Sequence, residues 1–304
     1  FGEGNGTYDY SPGWNRVLTS DPGHLFKQLA PEQLDRLTVY MDAGIRDFLN
    51  TAITSNRLWS EIKSKVGAEQ TQVFHNFPEL AIGDELFNPN DIASERLAQF
   101  SYMRYGTIGA SENQILRGDG NHVGTAQQVV SRIQLIMSVA QGFWPRPNLD
   151  RRWNPVGDAA YVGQGTFVSP VTGFEREYSF ALPPGYHDPE NAQEDYPVLY
   201  FLHGQGMKHR DMVGTAIVFL TAMAESQRSG RSDWSKFIII FPDGECPETD
   251  ACHSGNFWSD FASGEAETQY ATDFYELVKH VDTTYRVRPG TDVPLSEVPN
   301  ALAP

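Results

Sequence analysis

The sequence predicts an α/β fold, a mostly parallel sheet with helices on both faces, and three observations carry that prediction. Tyr196-Pro-Val-Leu-Tyr-Phe-Leu202 is an uncharged run, rich in aromatic and β-branched residues, that stops at His203-Gly-Gln-Gly206. Such a run reads as a strand buried on both faces. Lys236-Phe-Ile-Ile-Ile-Phe241 repeats the pattern and stops at Pro242-Asp-Gly244. The segments around these runs carry apolar residues at helical spacing, and strands that alternate with helices build parallel sheets. Open sheets of this kind hold ligands at the carboxyl ends of their strands. Backbone N–H groups in a Gly-rich turn there would suit an oxyanion, and the chain should then also supply a nucleophile, a base and an acid.

Taken in order, residues 1–22 are rich in Gly, Pro, Asn and Asp and read as an irregular loop. Leu25, Leu29 and Leu34 give a helical pattern, and Leu37–Met41 a short strand that ends in Asp42-Ala-Gly-Ile-Arg-Asp47. An acid on either side of a Gly just past a strand can hold a carboxylate above a sheet edge. The same acids can instead favour a helix N-terminus, with Asn50 as a cap. A helix is expected from Phe48 to Val66, closed by Gly67, then a strand at Thr71–His75 and a helix from Ile92 to Tyr105. Arg117-Gly-Asp-Gly-Asn-His122-Val-Gly-Thr125 forms a polar loop before a strong helix, Ala126 to Ala140. A loop His in that position can reach a nucleophile, although most loop histidines are only solvated. Gly142–Pro155 carries three prolines without periodicity and reads as a linker, centred on residues 146–160, between region 1–145 and region 161–304. Period-two alternation then marks strands at Gly165–Ser169 and Phe174–Leu182. Helices follow from about Met212 to Gln227 and Thr268 to Tyr285, the second with His280 and Glu276 on its solvated side.

The chain has 304 residues, 39 acidic and 23 basic, and a formal charge of −16. That balance repels phosphate backbones and anionic headgroups, which argues against a nucleic-acid or membrane-surface role. No apolar run approaches the length of a membrane helix and no signal peptide opens the chain; the lack of an initial Met suggests processing upstream. Cys246 and Cys252 are the two cysteines, with Pro247 between them. A loop of this length can close a disulfide, which would place the protein outside the cell or in the periplasm. The rival is a metal site, for which Cys246, Cys252 and His253 offer three ligands where about four are needed. Pro242-Asp243-Gly244 is first of all a turn.

Thr172–Tyr186, Tyr196–Gly204, Ile240–Gly244 and Val281–Arg286 resemble, in order and spacing, the first half of the esterase D-like α/β-hydrolases. That family includes S-formylglutathione hydrolases, feruloyl and acetyl-xylan esterases and mycolyltransferases. The resemblance implies an α/β-hydrolase fold and a carboxylic ester hydrolase with no metal or organic cofactor. It also implies that the backbone at Gly204, Gln205 and Gly206 forms part of the oxyanion hole. Residues 34–140 resemble the family's second half, which implies Asp47 as the catalytic acid, with Asp42 as a structural neighbour, and His122 as the base. Residues 76–116 are longer than the family pattern, so His75 stays as a rival base.

Two departures stand out. The halves are in reverse order, and the Gly-x-Ser-x-Gly nucleophile elbow expected after Tyr285-Arg286 is absent. Gly109-Ala-Ser111 and Gly230-Arg-Ser232 lack the second Gly that the strained turn needs. Three arrangements account for this. Either residues 1–145 end one hydrolase unit whose elbow precedes Phe1 and residues 160–304 begin another whose elbow follows Pro304, or a single domain is permuted with its elbow segment cut out, the nucleophile then coming from a second chain or segment, or the nucleophile is lost and the fold is kept as a binding or structural module. The expected substrate is a small or carbohydrate-linked ester.

Overall fold

A computed structural model describes residues 21–77, 97–143, 161–204, 206–229, 236–245, 262–263, 266–267 and 270–288. The chain divides into two compact units, Phe1–Pro145 and Arg146–Pro304. The expected linker, residues 146–160, lies outside the described residues, as do Gln205, Cys246 and Cys252.

The first unit opens with two short helices, α1 (Pro22–Gln28) and α2 (Pro31–Leu34), each begun by a proline at a position where no amide donor is needed. Strand β1 (Val39–Gly44), helix α3 (Thr51–Val66), strands β2 (Thr71–His75) and β3 (Phe100–Tyr105), the short helix α4 (Glu112–Leu116) and helix α5 (Ala126–Phe143) follow. The three strands are all parallel, in the order β1-β3-β2, with Val39 and Thr71 both opposite Phe100. Residues 100–105 are therefore the central strand and not the end of the expected helix. The sequence misleads here because a central strand covered on both faces need not alternate, and Phe100-Ser-Tyr-Met-Arg-Tyr105 shows no period-two pattern to separate it from helix. The two faces are visible in the packing. Phe100 and Tyr102 lie with Phe26 of α1 and Trp59 and Ile62 of α3, whereas Met103 and Tyr105 lie with Phe74 and with Leu135 of α5.

The second unit contains β4 (Tyr161–Val168), β5 (Glu175–Leu182), β6 (Val198–Tyr200), helix α6 (Val213–Ser229), β7 (Ile238–Pro242), the small hairpin β8–β9 (Ala262–Ser263 and Ala266–Glu267) and helix α7 (Tyr270–Thr284). Its main sheet has the order β4-β5-β7-β6, antiparallel except for the parallel pair β6–β7 joined through α6. Alternate residues of β7 face opposite layers. Ile238 and Ile240 pack with Tyr178, Phe180 and with Leu277 and Val281 of α7. On the other face Phe241 meets the ring of Phe201, which also meets Phe219 of α6.

The run expected to be the buried centre of the sheet is only half-buried along β6. Its start is nevertheless flanked on both sides. The carbonyl of Pro197 accepts from Ile238, while Tyr196 donates to Arg286 and accepts from Arg288. Successive residues of a strand direct their backbone groups to opposite neighbours, so the bridge from Tyr196 to Val287 begins a further parallel pairing beyond β6. His280 departs from the sequence expectation: its ring stacks on Phe167 at 5.5 Å and its Nε2 lies 3.2 Å from the Tyr178 hydroxyl.

Candidate active site

In the first unit the loops that follow β1 and β3 meet at the carboxyl end of the sheet. Gly44 ends β1, and a Cβ added there would lie 2.3 Å from the carbonyl oxygen of Gly120. Only a glycine lets the 118–122 backbone come this close. The approach is sealed by the Arg46 amide donating to the Gly120 carbonyl at 2.7 Å. The Arg46 guanidinium also reaches Asp119 Oδ2 at 3.1 Å. Asp119 is buried and accepts further bonds from the Thr107 amide at 2.8 Å and the Gln128 side chain at 2.9 Å.

This junction brings together the two residues that the sequence singles out. Asp47 has a side chain only 1% exposed, and its Oδ2 lies 2.9 Å from His122 Nδ1. The same carboxylate accepts from the Leu49 amide at 2.8 Å and from the Thr51 hydroxyl. Burial pushes the Asp47 carboxyl up, but the bonds from Thr51, His122 and Leu49 outweigh it and hold the carboxyl below its ordinary value. Asp47 therefore serves the start of α3 and also bonds to His122. Asn50 stands at the cap position with φ 55° and makes no side-chain cap bond.

A carboxylate can only accept, so His122 donates through Nδ1 and leaves the Nε2 lone pair exposed. The His122 side chain is 42% exposed and Nε2 has no hydrogen-bond partner among the described residues. The edge of the Phe48 ring rests against the imidazole, with centroids 5.8 Å apart. Sequence reasoning missed the groups that hold this loop. The Tyr105 hydroxyl is shared between the carbonyls of Asn121 and His122 at 2.9 and 2.7 Å, and Arg132 Nη1 donates to the carbonyl of Val123 at 3.1 Å. Arg132 in turn pairs with Asp42 Oδ2 at 2.8 Å and lies over the Tyr105 ring. The one available signal was spacing, because Arg132 and Leu135 fall on the face of α5 that returns to β1 and β3. His75 is exposed and bonded to Arg104 at 3.0 Å, and Ser111 caps α4.

In the second unit, β6 runs into His203-Gly204, and Gly206 adopts φ 75° in a turn closed by the Met207 amide on the Gly204 carbonyl at 3.2 Å. Gly204 and Gly206 are exposed. The His203 side chain is only 5% exposed and accepts from the Gly244 amide through Nε2 at 2.8 Å, so its Nδ1 carries the proton and donates to the Gly204 carbonyl at 2.9 Å. The imidazole thus ties the turn after β6 to the turn after β7. Asp243 accepts from the Glu245 amide at 2.8 Å, as expected of a turn. Among the described residues, one group with metal-ligand spacing is present, Glu177, His209 and Asp243.

Residues 169–295 match the Esterase family model, described as "Putative esterase". No curated protein matches the chain. Among solved structures, a ferulic acid esterase shares 26% identity over 43% of this chain and 46% of its own, with a TM-score of 0.35. An S-formylglutathione hydrolase from Agrobacterium tumefaciens shares 17% over 42% and 46%, with a TM-score of 0.33. A ferulic acid esterase from Anaeromyces mucronatus shares 21% over 47% and 50%, with a TM-score of 0.31. The chain spans about half the length of each. Residues 169–295 are thus similar to the Esterase family, and their motifs resemble those of the esterase D-like α/β-hydrolases.

Proposed function

We propose that the first unit carries the acid and the base of a serine-dependent carboxylic ester hydrolase, whose nucleophilic serine lies outside these 304 residues, and that the second unit carries an oxyanion-hole turn. The observation that carries the reading is the buried Asp47 carboxylate bonded to His122 Nδ1 at 2.9 Å, with Nε2 left open. In the reaction the serine oxygen attacks the ester carbonyl carbon and its proton passes to His122 Nε2. Asp47 stabilises the imidazolium and fixes the ring. The His122 proton then leaves on the alcohol oxygen as the ester bond breaks, and water releases the acid from the acyl-enzyme by the same steps. Backbone amides of the 204–206 turn are the proposed oxyanion donors in the second unit.

The substrate is a small or carbohydrate-linked ester, and a second chain or segment supplies the serine. Secretion is part of this reading and rests on a Cys246–Cys252 disulfide; among the described residues no helix is long and apolar enough to cross a membrane. The native protein should hydrolyse p-nitrophenyl acetate, and His122→Ala and Asp47→Asn should each lower kcat by at least a hundredfold with little change in KM. Undiminished hydrolysis by His122→Ala would overturn the assignment of the base. No hydrolysis by the native protein would favour a binding module built on a hydrolase frame, a reading that the absent Gly-x-Ser-x-Gly motif also suggests.

A further inference from the structure

Away from the Asp47–His122 pair, three side chains from separate segments of the second unit converge. Glu177 comes from β5, His209 from the 3-10 turn His209–Met212, and Asp243 from the turn after β7. His209 Nε2 lies 3.3 Å from Glu177 Oε2 and 3.7 Å from Asp243 Oδ2, and the three ligand atoms all lie within 4.8 Å of one another. These separations are long for a charged hydrogen bond, which is usually about 2.7–2.9 Å. The first falls within, and the second just above, the edges, roughly 3.3–3.6 Å, of a tetrahedron of ligands about 2.0–2.2 Å from a zinc ion.

The surroundings are those of a ligating imidazole. His209 is 1% exposed, and its other nitrogen, Nδ1, lies 2.8 Å from the hydroxyl of the fully buried Ser179. With an ion bound, Nδ1 would donate to that hydroxyl and free the Nε2 lone pair for the metal, the usual supporting contact of a metal-bound histidine. A second observation is independent of the cluster. Asp273, with a side chain 6% exposed, gives Oδ2 to Arg176 Nε at 3.1 Å, while its Oδ1 is buried and without a partner among the described residues. Asp273 lines one small cleft together with Glu177 and Asp243. The cations already nearby leave room for another. Arg176 is committed to Asp273 and to the carbonyls of Asp243 and Glu245. Arg210 covers Glu177 from a half-exposed position, where an ion pair is easily exchanged.

We propose that Glu177, His209 and Asp243 bind a divalent transition-metal ion of the zinc class, and that a metal-bound water supplies the donor that Asp273 Oδ1 lacks. Such an ion would join β5 to the 3-10 turn at His209 and to the turn after β7, to which His203 ties Gly204, whether or not the chain is catalytic.

Zn2+ alone, titrated into the full chain by calorimetry and followed by thermal unfolding, tests this. One equivalent should bind and raise the Tm. Glu177→Gln and Asp243→Asn should each weaken binding at least tenfold while circular dichroism stays native; His209→Ala is less informative because the buried ring also packs. No saturable binding would overturn the proposal, as would equal binding by both variants. So would Zn2+ binding lost in Cys252→Ser but kept in Glu177→Gln, which would move the ion to the cysteine loop. Equal affinity for Mg2+ or Ca2+ would overturn the assignment to the zinc class.

Discussion

Replacing Asp47 by Asn keeps the volume of the side chain and removes only its charge and one acceptor oxygen. The buried carboxylate takes three bonds, from the Leu49 amide, the Thr51 hydroxyl and His122 Nδ1. Hydrogen bonds to a charged acceptor are worth about 1.5–3 kcal/mol net, against about 0.5–1.5 kcal/mol for neutral ones. The new amide also presents donors where Thr51 and His122 already donate. After an offset for burying a neutral group in place of a charge, the expected loss is about 2–3 kcal/mol, or roughly 30- to 150-fold in a local opening constant. Native-state hydrogen exchange at pH 7 should show this increase in the amides of residues 44–51 and 118–124. Because the folded carboxyl titrates below its ordinary value of about 3.9, its stabilisation is complete above that pH and is lost as pH falls through the lower folded value. The gap between the two proteins in urea unfolding should therefore be constant from neutral pH to about pH 5 and narrow further down. Equal exchange in both proteins, or a gap that does not change with pH, would refute the reasoning.

Gly44→Ala places a methyl group against the backbone carbonyl of Gly120, which has no flexible end to yield, so it should cost about 1–3 kcal/mol in urea unfolding and loosen exchange at 118–124. Arg176→Met strands the buried Asp273 and should cost about 3–5 kcal/mol; adding Asp273→Asn should recover part of the loss, and no recovery would mean that the ion pair is not the cause. Burial lowers the pKa of His280, so its contribution to stability is complete above the unfolded value of about 6.5 and declines as pH falls below it. His280→Gln should accordingly lose less Tm than the unchanged protein between pH 7 and pH 5.

Elements whose pattern is local were legible in the sequence. The alternation in Phe174–Leu182, the buried run before Pro242 and the apolar stripe of Ala126–Ala140 correspond to β5, β7 and α5. Asp47 and His122 were legible as individual residues, each just beyond a strand or before a helix. Their meeting at 2.9 Å was expected from the family resemblance and from no local pattern, because it depends on β1 pairing with β3 across a long insertion and on Gly44 admitting the Gly120 carbonyl. β3 itself was misread as helix, since burial on both faces erases the period that separates the two structures. His280 was misplaced for a related reason. Helical spacing shows which way a side chain leaves the helix, but not that Phe167 and Tyr178 of neighbouring strands come round to cover it. The convergence of Glu177, His209 and Asp243 had no local signal at all, since it exists only once β5 and β7 are registered.

The central claim is that Asp47 and His122 serve a serine that these residues do not contain. Labelling the native protein with a fluorophosphonate and mapping the modified peptide tests it most directly. A single labelled serine is expected, in a Gly-x-Ser-x-Gly sequence outside residues 1–304, with labelling slowed by His122→Ala. A label on a serine within these residues, such as Ser111 or Ser232, or labelling that His122→Ala leaves unchanged, would contradict it.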